Sequence, residues 1–334
     1  MSKLLSIVVP SYNTSQYIEE CIPKMLVEGL LDELEIILID DGSEDDTLQK
    51  LLLFESKYPN TIRVVSKENG GHGSTINYGV KIATGKYFKV IDGDDWVNTA
   101  NLFRLLTDIG NEEVDLIINP YMRVYEGTKR QIPIMYNLPT GIYSFEELAS
   151  NLSEISIHAI TYRTQLLQKY QLHVREKCYY DDAEYVLYPL KYMEKVLILD
   201  YPVYNYRVGT TEQSINPQKV YINRDMHKQI VWDCINFWNE EREFIIGNKK
   251  DYCKKFVIKK IMTQYSIYLK APFSREHLIE FREWDAQLRE KDEGLYRLCD
   301  KSVVWVVRRG GIVAYSLVWL FFQVYQRSVH RGWN

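Results

Sequence analysis

The sequence predicts an α/β fold, a Rossmann-like, mostly parallel sheet with flanking helices over residues 1–210, followed by a helical region over 211–334. Three observations carry this. Short apolar runs alternate with helical stretches through the first third of the chain, the pattern of βαβ units. Polar motifs sit directly after those runs, at the strand ends where open parallel sheets bind ligands. From Gln218 onward almost every stretch has helical spacing. A length of 334 residues agrees with about two domains at roughly 150 residues each.

The elements follow in order. Residues 5–9 form a short apolar strand stopped by Pro10, and 17–26 have helical spacing despite Pro23. The run LEIILI (34–39) reads as a buried strand ended by DDGS (40–43), with a helix over 47–54. A third strand covers 62–66, and the helix over 73–83 closes on Thr84-Gly85, a stop signal. A fourth strand (87–91) runs into DGDDW, then a helix over 101–106 and a fifth strand over 114–118. Residues 122–125 and 131–135 suggest a hairpin around Glu126-Gly127, and 196–199 and 203–207 read as strands. A helix is expected at 183–192, and four more at 218–246, 251–270, 275–290 and 295–327.

Charge and composition exclude several classes. Lys plus Arg is 41 and Asp plus Glu is 45, giving −4, whereas a nucleic-acid binder should be clearly basic. The −4 is a cancellation: residues 1–210 carry 20 basic and 30 acidic groups, and residues 211–334 carry 21 and 15. Cys21, Cys178, Cys234, Cys253 and Cys299 are an odd, scattered set with no C-x-x-C, which argues against a disulfide framework or zinc knuckle and fits a reducing cytoplasm. The N-terminal apolar run is too short for a signal-peptide core, so a cytoplasmic chain is expected. Tyrosine is abundant, at 26 residues, which suits sugar or interface contacts and equally an ordinary core.

Four motifs carry chemistry. Asp92-Gly93-Asp94-Asp95 ends the fourth strand; three carboxylates in four residues repel one another unless a cation joins them. A hard divalent ion, Mn²⁺ or Mg²⁺, would bridge such oxygens to a diphosphate; a solvated acidic turn or a helix cap is the plainer alternative. The run IDDGSEDDT (39–47) offers either helix-capping acids or a carboxylate for the imide N–H of a uracil or thymine ring. KENGGHGSTIN (67–77) has the glycines that let a backbone approach a ligand, but neither the dinucleotide-binding spacing nor a G-K-[ST] phosphate loop. CYYDDAEY (178–185) holds an acidic pair that either caps the next helix or supplies a general base for a sugar hydroxyl.

In order and spacing, SIVVPSYN, LIDDGSEDDT, ENGGHGSTINYGVKIATGKYFKVIDGDDW and YYDDAEY resemble the bacterial inverting family 2 glycosyltransferases of the GT-A fold, over about residues 4–215. The resemblance implies that 1–120 binds a nucleotide-sugar donor and 121–210 faces the acceptor. It places Pro10 and Tyr12 in the loop cradling the nucleoside, Asp41 as the acid that reads the base, Asp92 near the ribose and Asp94 as the metal-holding acid. Asp182 matches the catalytic base, with Asp181 where many members carry Glu. The stretch Tyr204-Asn205-Tyr206-Arg207…Ser214 is similar to one that helps close the donor site, with Arg207 toward the leaving diphosphate. One departure stands out: Ile76-Asn77 replaces the Arg-Asn pair of many members, so His72 is expected to take over its support of the nucleotide beside Asn77.

The implied reaction transfers a hexose or N-acetylhexosamine, most simply from a UDP-sugar, with inversion, to a lipid-linked, polysaccharide or glycoprotein glycan. A dTDP-rhamnose donor, or a degenerate transferase acting as a non-enzymatic partner, are the alternatives; a nucleotidyltransferase would carry a basic glycine-rich loop after its first strand, and PSYN is not one. In the helical region, Lys249, Lys250, Lys254, Lys255, Lys259 and Lys260 alternate with apolar residues, and 310–326 is a seventeen-residue stretch without charge. That is just under a bilayer span, so an interfacial helix on an anionic membrane surface, a core helix and a homo-oligomer contact are the readings for it.

Overall fold

In the computed structural model, residues 3–209, 217–271 and 273–331 are described. The chain begins with β1 (Leu5–Ser11), α1 (Ile18–Met25), β2 (Leu34–Asp40), α2 (Thr47–Lys57), β3 (Ile62–Ser66), α3 (His72–Ile82) and β4 (Tyr87–Val90). Then come β5 (Trp96–Val97), α4 (Thr99–Ile109), β6 (Leu116–Ile118), β7 (Tyr121–Tyr125), β8 (Gln131–Ile134), β9 (Gly141–Ser144) and α5 (Phe145–Ala149). After these follow β10 (Ile160–Arg163), α6 (Thr164–Lys169), α7 (Asp182–Leu190), β11 (Lys195–Ile198) and β12 (Tyr204–Val208).

An eight-stranded sheet runs β3-β2-β1-β4-β10-β6-β11-β9, and a smaller one runs β5-β12-β7-β8. Strands β1 to β4 pair parallel, as the alternating pattern requires. β1 is buried along its whole length because helices cover both faces of such a sheet. It does not stop at Pro10 but runs on to Ser11; the ladder to β4 has already ended at Val8 opposite Val90, so the missing N–H of Pro10 costs nothing. The mostly parallel order breaks beyond β4. There β10 enters between β4 and β6, antiparallel to both, and β6 then pairs parallel with β11. The 122–135 hairpin forms as β7 and β8.

The chain divides into two compact units, Met1–Ser214 with Ile245–Tyr252, and Ile215–Phe244 with Cys253–Asn334. The returning segment is firmly tied to the first unit. The Tyr252 hydroxyl donates to the Ser153 carbonyl at 3.2 Å and accepts from Ile155 N at 2.9 Å, and Lys249 Nζ donates to the Met193 carbonyl at 2.7 Å.

The second unit comprises α8 (Pro217–Ile222), α9 (Arg224–Glu241), α10 (Gly247–Lys270) from Cys253 onward, α11 (Arg275–Lys291), α12 (Glu293–Leu298) and α13 (Ser302–Arg331). Its core centres on the buried Trp284, whose ring meets Tyr265 at 4.7 Å and Trp232 at 5.7 Å between centroids. The apolar face of the lysine-rich helix is inside this unit: Phe256, Val257, Ile261 and Tyr265 are buried. Many tyrosines serve the core, with Tyr87, Tyr162, Tyr185 and Tyr204 fully buried in the first unit. In α13 the segment Ser302–Phe322 is long and apolar enough to cross a membrane, although Gly311, at φ +57°, interrupts its helical course. Trp305, Ile312, Val313, Leu317, Leu320 and Phe321 of that segment are exposed.

His227 in α9 gives the second unit a pH dependence. It is buried, its Nδ1 lies 2.6 Å from Gln264 Oε1, and burial pushes its pKa down to about 4. The unfolded chain takes up this proton near 6.5 and the native one does not, so stability falls as pH drops across that window. The loss is on the order of 3 kcal/mol at full extent. In urea titrations at about pH 7.5 and about pH 4.5, His227→Gln should lose less stability on acidification than the parent.

Candidate active site

The C-terminal ends of β1, β2, β3 and β4 lie side by side, so their loops share one edge. The loops are stitched together by backbone. Gly93 N donates to the Pro10 carbonyl at 2.9 Å and Asp41 N to the Ser11 carbonyl at 2.8 Å. A side chain on Gly93 would meet the Pro10 carbonyl oxygen at 2.6 Å, which is why the D-x-D spacer is glycine. Tyr12, just past β1, is left exposed.

Asp41 is turned inward. Its Oδ1 accepts from Gly70 N at 3.0 Å and Lys67 Nζ at 2.7 Å, and its Oδ2 accepts from Gly71 N at 2.8 Å. In this structure the carboxylate expected to read a base holds the glycine loop. That loop turns through Gly71, at φ +81°, into α3, placing His72 at the helix start. Asn77 is also committed: it donates to the Val174 carbonyl at 2.9 Å and accepts from Val174 N at 2.9 Å, fastening the approach to α7.

His72 joins two acidic loops. Its Nε2 lies 3.0 Å from Asp92 Oδ1 and its Nδ1 lies 2.8 Å from Asp181 Oδ2. Burial works against the charged ring, but Asp181 and Asp92 outweigh it and hold the pKa well above the ordinary value. Both nitrogens therefore donate, and the imidazolium faces carboxylates. Asp181, buried, precedes α7; Asp182, half-buried, is its first residue. Asp181 makes no side-chain cap, so the capping alternative does not explain this acid.

The acidic turn is strongly charged for its surroundings. Burial works to raise the Asp92 pKa, but the hydrogen bond and charge of His72 outweigh it and hold the carboxyl below the usual range, whereas burial and Asp92 push Asp94 up to about 6. Asp95 is fully buried and well above its ordinary pKa, from burial and from Asp94 and Asp92. Its Oδ2 accepts from the Tyr204 hydroxyl at 2.7 Å and its Oδ1 from Arg207 N at 2.7 Å. The helix that follows is capped by Asn98, not Asp95.

Arg207 is engaged within the protein. Its Nε donates to the Asp94 carbonyl at 2.8 Å, Nη1 to Glu126 at 3.0 Å and Nη2 to Glu20 at 2.9 Å. The Tyr17 and Trp96 rings flank the guanidinium at 4.7 Å each. Buried, with Nε, Nη1 and Nη2 each donating within the protein, it braces the D-x-D turn. Ser214 lies outside the described residues.

Two residues escaped the sequence reading. His158, just before β10, brings a ring nitrogen within 4.8 Å of carboxylate oxygens of Asp92 and Asp95, a set that can hold a metal ion; Asp94 is not part of that set. Lys89 is fully buried in β4, donates to the His158 and Ile160 carbonyls at 3.1 and 3.0 Å, and is pushed by burial down to about 7. A lysine inside YFKVI was the available signal for one; a lone His in SIHAITYR carries no spacing for the other.

Strand-end acidic loops on a sheet of this topology define an α/β transferase site. Residues 6–171 match the family described as "Glycosyl transferase family 2", and this chain belongs with that family as a glycosyltransferase. It is 28% identical over 237 residues to the uncharacterized glycosyltransferase EpsJ of Bacillus subtilis (strain 168), covering 69% of this chain and 68% of that protein. It is 36% identical over 122 residues to the glycosyltransferase GlyG of Streptococcus pneumoniae serotype 4, covering 36% of this chain and 40% of that one. The crystal structure of S. aureus TarS 1–349 in complex with UDP-GlcNAc superposes with a TM-score of 0.69 at 19% identity, covering 96% of this chain and 91% of that one. The GT-A fold expected from the motifs is thereby shown.

Removing the Asp41 carboxylate would orphan two backbone N–H groups and take away the ion-pair partner of Lys67, which keeps the Glu68 carbonyl and Ser74 Oγ. Asp41→Ala should therefore cost on the order of 2–3 kcal/mol in chemical denaturation and loosen hydrogen-exchange protection at Gly70 and Gly71.

Proposed function

We propose that the chain transfers a sugar from a nucleoside-diphosphate donor to a glycan acceptor by single displacement with inversion. The observation that carries this reading is the His72 bridge. It ties Asp92 of the D-x-D turn to Asp181 in a motif 89 residues further on, bringing the acid pair 181–182 to the edge where a donor would lie. Asp181 is engaged by His72, and Asp182 beside it is the base that takes the proton of the attacking hydroxyl.

The donor lies over the ends of β1 to β4, with Tyr12 against the nucleoside. Asp41 acts indirectly, by fixing the glycine loop under it. Asp92, Asp94 and Asp95 form the acidic turn for a divalent cation, and raised pKa values at Asp94 and Asp95 fit a site whose charge a cation relieves. Bound there, Mn²⁺ or Mg²⁺ would neutralise the departing diphosphate. Arg207 holds the turn in shape, and Lys89 anchors β10 beneath it.

A UDP-sugar, with UDP-N-acetylhexosamine first, is the donor we favour, because the TarS structure of like fold holds UDP-GlcNAc. The acceptor class is a cell-surface polysaccharide or related glycan, and the chain works at the cytoplasmic side. The exposed apolar residues of α13, in the half of the sequence with 21 basic and 15 acidic groups, suit an anionic membrane surface.

Two outcomes test the reading. In a donor panel with Mn²⁺ scored by nucleotide release, UDP-sugars should turn over and GDP-sugars should not. Asp182→Asn should lower transfer by about a thousandfold or more while leaving UDP affinity within about threefold, by calorimetry; retained transfer would remove Asp182 as the base.

A further inference from the structure

We infer that His158 is a nitrogen ligand of the cation site, and that it makes the site select Mn²⁺ over Mg²⁺. This rests on the cation reading above and goes beyond it, since that reading uses carboxylates alone.

The imidazole is held on every side but one. Nδ1 lies 2.8 Å from Ser156 Oγ. Tyr121 stacks on the ring with centroids 5.2 Å apart, Tyr204 meets it edge-on at 4.7 Å and Tyr206 at 4.3 Å. Lys89 Nζ fixes its backbone carbonyl. Nε2 is out of contact with solvent and has no hydrogen-bond partner among the described residues. A ring nitrogen of His158 lies within 4.8 Å of carboxylate oxygens of Asp92 and Asp95, and Nε2 is the nitrogen not already placed against Ser156 Oγ.

A buried polar atom left unsatisfied costs on the order of 1–3 kcal/mol, so an aromatic cage built only for packing would hold Phe here. In its neutral form the imidazole offers one nitrogen lone pair. With Nδ1–H donating to Ser156, that lone pair is on Nε2, and the hydroxyl plays the orienting part that outer-shell groups play for ligating histidines. Asp92 and Asp95 are the carboxylates of this set, while the Arg207 guanidinium donates to Glu20, Glu126 and the Asp94 carbonyl. Both carboxylates keep lone pairs beyond the hydrogen bonds they accept. Two carboxylates alone suit Mg²⁺ or Mn²⁺ alike; an imidazole added to them favours the transition metal.

The test uses the full chain and Mn²⁺ alone, without donor. Electron spin-echo envelope modulation of bound Mn²⁺ should show the ¹⁴N signature of a coordinated imidazole in the parent and lose it in His158→Gln. The Mg²⁺ needed to displace Mn²⁺ should fall on the order of tenfold in that variant. Mn²⁺ bound without nitrogen modulation, or modulation surviving His158→Gln (as a His72 origin would give), overturns the proposal. Should His158→Gln not fold by circular dichroism, Ser156→Ala keeps the imidazole; Mn²⁺ affinity should then weaken by about tenfold or more with the modulation retained, and unchanged affinity overturns it. No Mn²⁺ binding at all also overturns it, and a metal requirement in the transfer assay would then show the broader cation reading standing without His158.

Discussion

His72 sits between two carboxylates that would otherwise repel, 3.0 Å from one and 2.8 Å from the other. Neither acid is near it in sequence. Asp92 follows β4 and Asp181 precedes α7, so this ring, with the Asn77–Val174 pair and the Lys177 N–Gly70 carbonyl bond, ties the sheet edge to the later acidic motif. The ring's own position depends on the Gly71 turn, and that turn depends on Asp41 catching two consecutive backbone N–H groups. A chain of buried acceptors thus leads from the end of β2 through the glycine loop to α7.

The site is assembled from charges that are mostly used on the protein itself. Arg207, Lys67 and Lys89 all point into backbone carbonyls or carboxylates of the loops they support. That leaves the acidic turn with an excess of negative charge in a poorly solvated place, visible in the raised values at Asp94 and Asp95. Stable preorganisation and an unmet demand for positive charge are produced by the same arrangement. A cation and the diphosphate it would accompany enter a frame that does not have to reorganise to receive them.

The alternation of strands and helices was legible in the sequence because burial on both faces writes continuous apolar runs such as LEIILI. Pairing across the middle of the sheet was not: Tyr162 lies opposite Phe88, and nothing local in ITYR or YFKV specifies a partner more than seventy residues away. For the candidate site, the motifs name loops that the fold brings to one sheet edge, but not the direction of each side chain. Asp41, Asn77 and Arg207 turn toward neighbouring backbone, a choice set by which N–H and carbonyl groups the tertiary fold leaves unpaired. The acid pair 181–182 was found together because its motif is contiguous, whereas His158 depends on β10 being laid beside β4.

The excursion of the chain through 215–244 before it returns at Ile245–Tyr252 matters for how the protein is made. The first unit is not finished when residue 214 leaves the ribosome. Tyr252 and Lys249, which close hydrogen bonds at Ser153, Ile155 and Met193, arrive only after the first helices of the second unit have emerged. Synthesis therefore passes through a stage in which the first unit lacks these contacts, and a gene fragment cut at 214 would lack them permanently. A fragment that restores those contacts must carry the chain through residue 252.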